Sequence, residues 1–470
     1  MRYVQRYILH DRADRMLVKP TDRRRPRGRR PPPRGAPGAP AGLDRARSTA
    51  RLARSCPVLV WRSDMIPETR SRPSVVVVGA GFAGCYAART LERLLPPDAA
   101  ELTVISATDH LCYSPLLPEV AAGRLSPREV AVPLHARLRR ARVLQATVHD
   151  VDFDGCTVSF AMDGAEHKVG WDRLALTTGS VTRTFPTPGL ESHALGLKNL
   201  AEATFVHDHV LRQLEPADAT DDPVQRRAYL TFVVVGAGYT GTETAAQLQW
   251  MTVRQIDRFP RLSPSELRWL LLDMAPAVLP EMGPRLGRKA LEVVRARGME
   301  VRLKTSVPAM DDDGVSLTDG TWIPTRTVLW TVGVTPPPLV ERLGLPVTRG
   351  RFRVDEQLRV RDGVWAAGDT ARNPFADTPQ PYPPSAQHAQ RQGVVIGRNI
   401  AASLGHGSAR RYRHHDLGLV ASRCSGPAAG VPLTGIPAKV VTKAYHLYAL
   451  PAVGNRLRVA TSWAVKGDQR

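Results

Sequence analysis

Two glycine triplets hold the residues of this 470-residue chain whose spacing is best suited to chemistry. Gly79, Gly81 and Gly84 close VVVVGAGFAG, and Gly236, Gly238 and Gly241 close TFVVVGAGYTG. At this spacing the first glycine permits a tight turn. The second lets a pyrophosphate reach the backbone, and the third lets the following helix pack on the preceding strand. The unpaired N–H groups and dipole of that helix then face the anion. The elements that must position the glycines follow directly. Each triplet ends a β-branched run, and Cys85 to Leu95 and Thr242 to Met251 carry helical apolar spacing. One such match is often only a strand-to-helix turn. Its return in the same chain predicts two dinucleotide sites and internal electron transfer.

The bulk composition bounds what else the chain does. Its length allows two or three domains, each with a core. The formal net charge is +21, of which +12 belongs to residues 1–64, with 17 Lys/Arg against 5 Asp/Glu. That arm contains TDRRRPRGRRPPPRGAPGAPAG and reads as disordered. Met65, ten residues before the first strand, reads as an alternative start. The rival reading is an electrostatic arm for phosphates, although its clustered arginines lack the interleaved aromatic residues of a base-stacking surface. Five cysteines (Cys56, Cys85, Cys112, Cys156 and Cys424) have no paired spacing, which argues against a redox disulfide or a zinc site. No stretch has the roughly 18 apolar residues of a membrane span.

Along the chain, strand and helix alternate from Val75. Asp109 to Pro133 reads as irregular, and a hairpin turns at Asp154-Gly155. Leu174 to Gly179 (LALTTG) reads as a buried strand, Leu195 to Leu214 as helical and Glu215 to Val224 as a polar linker. Val364 to Asp369 (VWAAGD) reads as a strand stopping at Gly-Asp. The expected class is α/β, with a first Rossmann-like domain interrupted by a second and then resumed, plus a C-terminal tail domain. The expected divisions are an arm (1–73), a first domain (74–228), an inserted domain (229–346), the first domain resumed (347–405) and a tail (406–470).

The order of these pieces carries a resemblance. VVVVGAGFAG, SPLLPEVAAGRLSPREVAVPL, LALTTGS, TFVVVGAGYTGTETAAQL, LLLDMAPAVLPEMGPRL, VLWTVGV, VWAAGD and PSAQHAQRQG occur in this sequence in family order. The chain resembles the type II NADH dehydrogenases, single-subunit NADH:quinone oxidoreductases of the pyridine nucleotide-disulfide oxidoreductase superfamily that lack the redox disulfide. The match spans about Ser74 to Trp463. The resemblance implies FAD at Gly79, Gly81 and Gly84, with Gly179, Gly368 and Asp369 nearby, Asp369 serving the ribityl chain or phosphates. Pro115, Leu116 and Ala386 would line the flavin. Ser106 stands where the family usually has an acidic or amide residue for the adenosine ribose, which implies weaker FAD retention.

The second triplet would then hold NADH, with Gly333 close to it and Glu243 near the nicotinamide and flavin. Glu243 is also favourable to the helix dipole wherever it points. Asp273 would take the ribose hydroxyls and repel a 2′-phosphate, with a ceiling of roughly 4 kcal/mol at about 4 Å and an effective dielectric near 20. Gln387, with Gln390 or Arg391 nearby, would meet a quinone carbonyl, and His388 reads as a surface residue.

In the tail, Val440, Val441, Ala444, Leu447 and Tyr448 share one helical face, and Lys439, Lys443 and His446 another. This is an amphipathic helix for a membrane interface, or an ordinary packed one. The implied function is hydride transfer from NADH to FAD, then electron transfer to a menaquinone or ubiquinone. It would take place on the cytoplasmic face of a bacterial membrane, with monotopic attachment, possible homodimerisation and no specific nucleic acid. The alternatives are a soluble NAD(P)H-dependent flavin or ferredoxin reductase, and a flavin-binding regulatory protein whose basic arm binds nucleic acid.

Overall fold

The computed structural model describes residues 72–372, 385–413, 420–421, 424–428 and 431–465. The basic arm lies outside them. Strand β1 (Ser74–Val78) turns into helix α1 (Phe82–Leu94), and β2 (Glu101–Ser106), β3 (Arg142–Gln145) and β4 (Arg173–Leu176) follow. Two short strands, β5 (Val181–Thr182) and β6 (Ala194–Leu195), precede β7 (Thr231–Val235) and α2 (Tyr239–Gln255). Next come β8 (Arg268–Asp273), β9 (Glu300–Leu303), β10 (Thr327–Trp330) and β11 (Val334–Thr335), then β12 (Arg359–Arg361), β13 (Val364–Ala366), α3 (Ala386–Ser403), α4 (Gly435–Ala449) and α5 (Val453–Val465).

These strands form two main sheets. One has the order β12-β13-β4-β1-β2-β3, so β13 returns across the intervening chain to lie beside β4. The other has the order β6-β10-β7-β8-β9, and every pairing in it is parallel. Central strands β1 and β7 are buried along their whole length, which explains why both read as unbroken β-branched runs rather than alternating ones. Short strands β5 and β11 pair antiparallel, Val181 with Thr335 and Thr182 with Val334, and link the two halves.

Helix α3 lies against α1 at close range. A Cβ at Gly393 would collide with the Ala83 carbonyl oxygen, and one at Gly397 would meet the Ala87 oxygen at 2.7 Å. The missing side chains let the backbones touch and bring the start of α3 to the first glycine turn.

Two stretches differ from the sequence reading. Residues 109–133 contain a strand pair, His110–Cys112 with Ala131–Pro133, and the short helices Leu117–Ala121 and Pro127–Val130. The expected polar linker is helical at Leu214–Ala219 and Pro223–Tyr229. Its signal was local: Asp222 accepts from Val224 N–H at 2.8 Å as an N-cap, and Pro223 occupies the first helical position.

Candidate flavin and nicotinamide site

The first cradle is formed by the turn between β1 and α1. Gly79 has φ +90°, a conformation open to glycine, and its N–H donates to the Ile105 carbonyl at 2.7 Å. A Cβ on Gly84 would fall inside the Gly79 carbonyl oxygen. Gly81 caps α1 with no side chain over the helix end, and a Cβ there would meet nothing within 4 Å. The first N–H groups of α1 are therefore left uncovered by any capping side chain beside open space, and these residues fit the pyrophosphate of FAD.

Around this turn the predicted residues gather unevenly. Gly368, at φ +76°, donates its N–H to Gln392 Oε1 at 2.7 Å. Asp369 accepts from Ser180 Oγ at 2.5 Å, and Lys198 Nζ stands 3.7 Å from the same oxygen. Gly179 has φ +70°, and its carbonyl accepts from Thr370 Oγ1 at 3.2 Å. Ser106 closes β2, nearly buried, with its Oγ 3.4 Å from the Thr108 N–H. Pro115 lies in the short turn Ser114–Leu116 and is half-buried, whereas the Leu116 side chain packs into the core beside α2. Ala386 is the first residue of α3. Cys85 is a packed core residue, and burial pushes its thiol above the usual range.

The second cradle repeats the first. Gly236 has φ +108°, and a Cβ on Gly241 would fall inside the Gly236 oxygen. Gly238 caps α2 with no side-chain cap of its own. Asp273 at the end of β8 accepts from Ala237 N–H at 2.5 Å and from Ala275 N–H at 2.7 Å, and so ties the glycine turn to the neighbouring loop. Gly333 has φ +69°, matching Gly179, and its carbonyl accepts the Arg183 N–H at 3.2 Å. The turn that follows β10 is thus joined to the end of β5, the strand that leaves the turn after β4.

Sequence reasoning missed the threonine that braces each cradle. Thr177 Oγ1 donates to the carbonyls of Val78 and Gly79, both at 2.8 Å. Thr331 Oγ1 does the same for Val235 at 2.8 Å and Gly236 at 3.2 Å. The repeat of Thr-x-Gly in LALTTG and WTVGV was the available signal. Glu281 was also missed; its Oε1 accepts the Tyr239 N–H at 3.1 Å, in front of α2.

A third group of residues gathers between the cradles and the tail. Tyr239 follows Gly238, and desolvation, then the adjacent Glu243 carboxylate, push its phenol well above the usual tyrosine range. The Tyr113 hydroxyl and His446 Nδ1 share a hydrogen bond of 3.1 Å, and the Tyr113 ring meets Phe82 edge-on at 5.8 Å. Tyr445 hydrogen-bonds the Gln387 amide, with Arg391 nearby. Gln390 is half-buried on α3 beside these residues in sequence.

Two expectations are corrected here. His388 is buried rather than on the surface, and its Nδ1 lies 2.9 Å from the Tyr412 hydroxyl. His446 belongs to the inner face of α4, with Ala438 and Thr442, rather than to a basic outer face. Desolvation lowers its pKa to about 4, so it is neutral at pH 7.

Two glycine cradles of one design, set in sheets of which one spans the other in sequence, define an α/β oxidoreductase that works between two dinucleotides. The family model for pyridine nucleotide-disulphide oxidoreductases matches residues 73–393. A type II NADH:quinone oxidoreductase (Ndh) of Mycobacterium tuberculosis is 30% identical, over 85% of this chain and 88% of its own. The type II NADH:quinone oxidoreductase of Staphylococcus aureus is 27% identical, over 82% of this chain and 97% of its own. A structure of NDH2 from Plasmodium falciparum in complex with NADH shares the fold, with a TM-score of 0.76 at 16% identity, over 83% of this chain and 97% of that one. The chain belongs to the pyridine nucleotide-disulphide oxidoreductase family, and within it to the type II NADH:quinone oxidoreductases.

Proposed function

We propose that this protein oxidises NADH and reduces a quinone, a menaquinone or ubiquinone, with FAD as its resident carrier. The observation that carries this reading is the β5–β11 pairing, in which the strand leaving the Gly179 turn of the first cradle pairs with the strand leaving the Gly333 turn of the second, Arg183 N–H donating to the Gly333 carbonyl. FAD, when bound, supplies the two-electron step between the two substrates. The net reaction takes NADH, one proton and the quinone to NAD⁺ and the quinol, so one proton per turnover comes from solvent.

The chain's own residues place and screen the reactants. The N–H groups at the start of α1 would hold the FAD pyrophosphate, and Asp369, kept in position by Ser180 and Lys198, would serve the ribityl chain or phosphates. The start of α2 holds the NADH pyrophosphate, Asp273 takes the ribose hydroxyls, and Glu243 with Tyr239 borders the nicotinamide. Gln387, Gln390 and Arg391 at the start of α3 offer donors to a quinone carbonyl. On this assignment residues 74–228 and 347–405 form the FAD domain, 229–346 the NADH domain and 406–470 the tail.

We read the tail as the membrane-facing part. Its inner face is polar and specific: Asn455 Nδ2 lies 2.9 Å from the Glu129 carbonyl, and Trp463 Nε1 donates to Glu119 at 2.6 Å. Its outer face carries Ile436, Val440, Tyr448, Val453, Leu457 and Val465, six of the thirteen large apolar side chains that are exposed among the described residues. This distribution suits a helix pair resting in a lipid interface, on the cytoplasmic side where NADH is available. Among the described residues no helix is long and apolar enough to cross a membrane.

The deciding experiment is an anaerobic titration of the purified protein with NADH, followed by a soluble menaquinone analogue. The flavin band should bleach and then recover. Bleaching without recovery would move the acceptor to another class, and a colourless protein that added FAD cannot restore would overturn the reading.

A further inference from the structure

Beside the tail lies a cleft of about 760 Å³ whose lining includes no residue of either glycine cradle. Six arginines border it: Arg89 and Arg93 from α1, Arg137, Arg139 and Arg140 from the segment before β3, and Arg458 from α5. Glu92 is the only carboxylate in the lining, and its Oε1 is already used, accepting the backbone N–H groups of Arg140 at 2.7 Å and Ala141 at 2.8 Å. Among the described residues every arginine–carboxylate ion pair lies elsewhere.

Two of the six are fixed as walls. Arg137 donates to the Pro451 carbonyl at 2.7 Å with its guanidinium over the Tyr86 ring, and Arg140 donates to the carbonyls of Glu92 and Leu95. The basicity of Arg89 is lowered by desolvation, then by the charges of Arg137 and Arg93. So many like charges in one concavity, against a single carboxylate already engaged by backbone N–H groups, form a site that gains from a multivalent anion, and guanidinium groups match phosphate oxygens two at a time.

What the cleft opens onto distinguishes one phosphate source from another. Its lining includes Pro451, Ala452, Val453 and Gly454, where α4 passes into α5. Val453 is 67% exposed, and Leu457, one turn on, is 65% exposed. A free phosphate has no use for these apolar side chains, whereas a phospholipid headgroup held in the cleft would lay its acyl chains along them. We infer that the arginine cleft binds the phosphodiester headgroup of an anionic phospholipid, orienting the tail on the membrane. This rests on the membrane reading given above and adds to it a lipid class and a set of residues.

The test uses the full-length flavin-loaded protein and flotation on two kinds of vesicle, phosphatidylcholine alone and phosphatidylcholine mixed with phosphatidylglycerol. The wild type should float preferentially with phosphatidylglycerol. The triple variant R93Q/R139Q/R458Q should lose about a hundredfold of that affinity, as expected for three basic side chains at an anionic surface. The exposed-surface control R285Q/R288Q/R295Q, with the same charge change on the helix Pro284–Ala296, should change it by only a few-fold. The corresponding Arg→Lys triple variant, which keeps the charge but loses the two-pronged N–H donors, should fall between the wild type and the glutamine variant. Flavin absorbance and reduction of a soluble quinone analogue, measured on every variant, report folding.

Equal loss in the control would reduce the effect to overall charge and overturn the cleft. Equal flotation of the wild type on both vesicles would leave the apolar face as the whole attachment and also overturn it. Inorganic phosphate that binds saturably and displaces the protein from phosphatidylglycerol vesicles would assign the cleft to a soluble anion instead. Failure to reduce the quinone analogue would strike the proposed activity while leaving flotation readable. Activity without any phosphatidylglycerol preference would strike only the lipid site.

Discussion

In the first cradle the strand beside the glycine turn ends in Ser106; in the second its counterpart ends in Asp273. Almost everything else about the two is shared: the left-handed first glycine, the third glycine pressed on its carbonyl and the threonine bracing both carbonyls. The shared backbone design suits any pyrophosphate, and on the proposed assignment the strand end would carry the discrimination. Asp273 also orders its own loop through Ala237 and Ala275, whereas Ser106 makes one long contact to Thr108. On the proposed assignment a charged strand end would reject a 2′-phosphate as well as stiffen the turn. The neutral one does neither, which leaves Asp369, on the resumed part of the chain, as the charged partner in the first cradle.

The comparison is broken most severely at the third glycine. Gly84→Val should strip the flavin from the purified protein, and Gly241→Val should leave the colour but abolish bleaching by NADH. Each forces backbone apart at a cost of about 3 kcal/mol. A coloured Gly84→Val protein would show that the first cradle is not the FAD seat. Asp273→Ser should come next: the ratio of kcat/KM for NADPH to that for NADH should rise by up to roughly a thousandfold, the ceiling set by about 4 kcal/mol of like-charge repulsion. An unchanged ratio would remove Asp273 from cofactor selection.

The third test concerns His446, which joins the tail to the loop beside the first cradle. Its pKa is about 4 in the folded protein and ordinarily 6.5. The unfolded chain therefore binds the proton first, and stability present above pH 6.5 is lost as pH falls toward 4. The full span is worth about 3 kcal/mol. His446→Gln should flatten that part of the Tm-against-pH curve relative to wild type, and parallel curves would count against a neutral buried imidazole. The smallest effect is expected at Ser106→Glu, which should tighten FAD by about tenfold in a fluorescence titration. It exchanges a neutral hydrogen bond for a charge-assisted one, worth about 1 kcal/mol more.

The cradles were legible in the sequence because their determinants are local. Glycines at fixed spacing after an apolar run state the turn, the cap and the helix within about a dozen residues. The junction was not legible, because Tyr113 and His446 meet across 333 positions. Periodicity placed α4 as a helix and left its apolar face two readings, a membrane interface or a packed surface; Ile436, Val440 and Tyr448 are exposed, while Thr442 and His446 are buried. Only His446 was put on the wrong face, and His388 was misplaced likewise, because nothing near it in sequence announces Tyr412, 24 residues on.

The return of β13 to the edge of β4 also bears on how the chain is made. Val364 pairs with Leu174, 190 residues upstream, so a ribosome working at ~5–20 residues per second leaves that edge bare for roughly 10–40 seconds. During that interval the nascent sheet presents the apolar strand Arg173–Leu176 with unpaired backbone groups, a template for pairing with other nascent chains. Holding this edge until its partner emerges is a task for the cell's chaperones, and synthesis without them is where misassembly of this protein should begin.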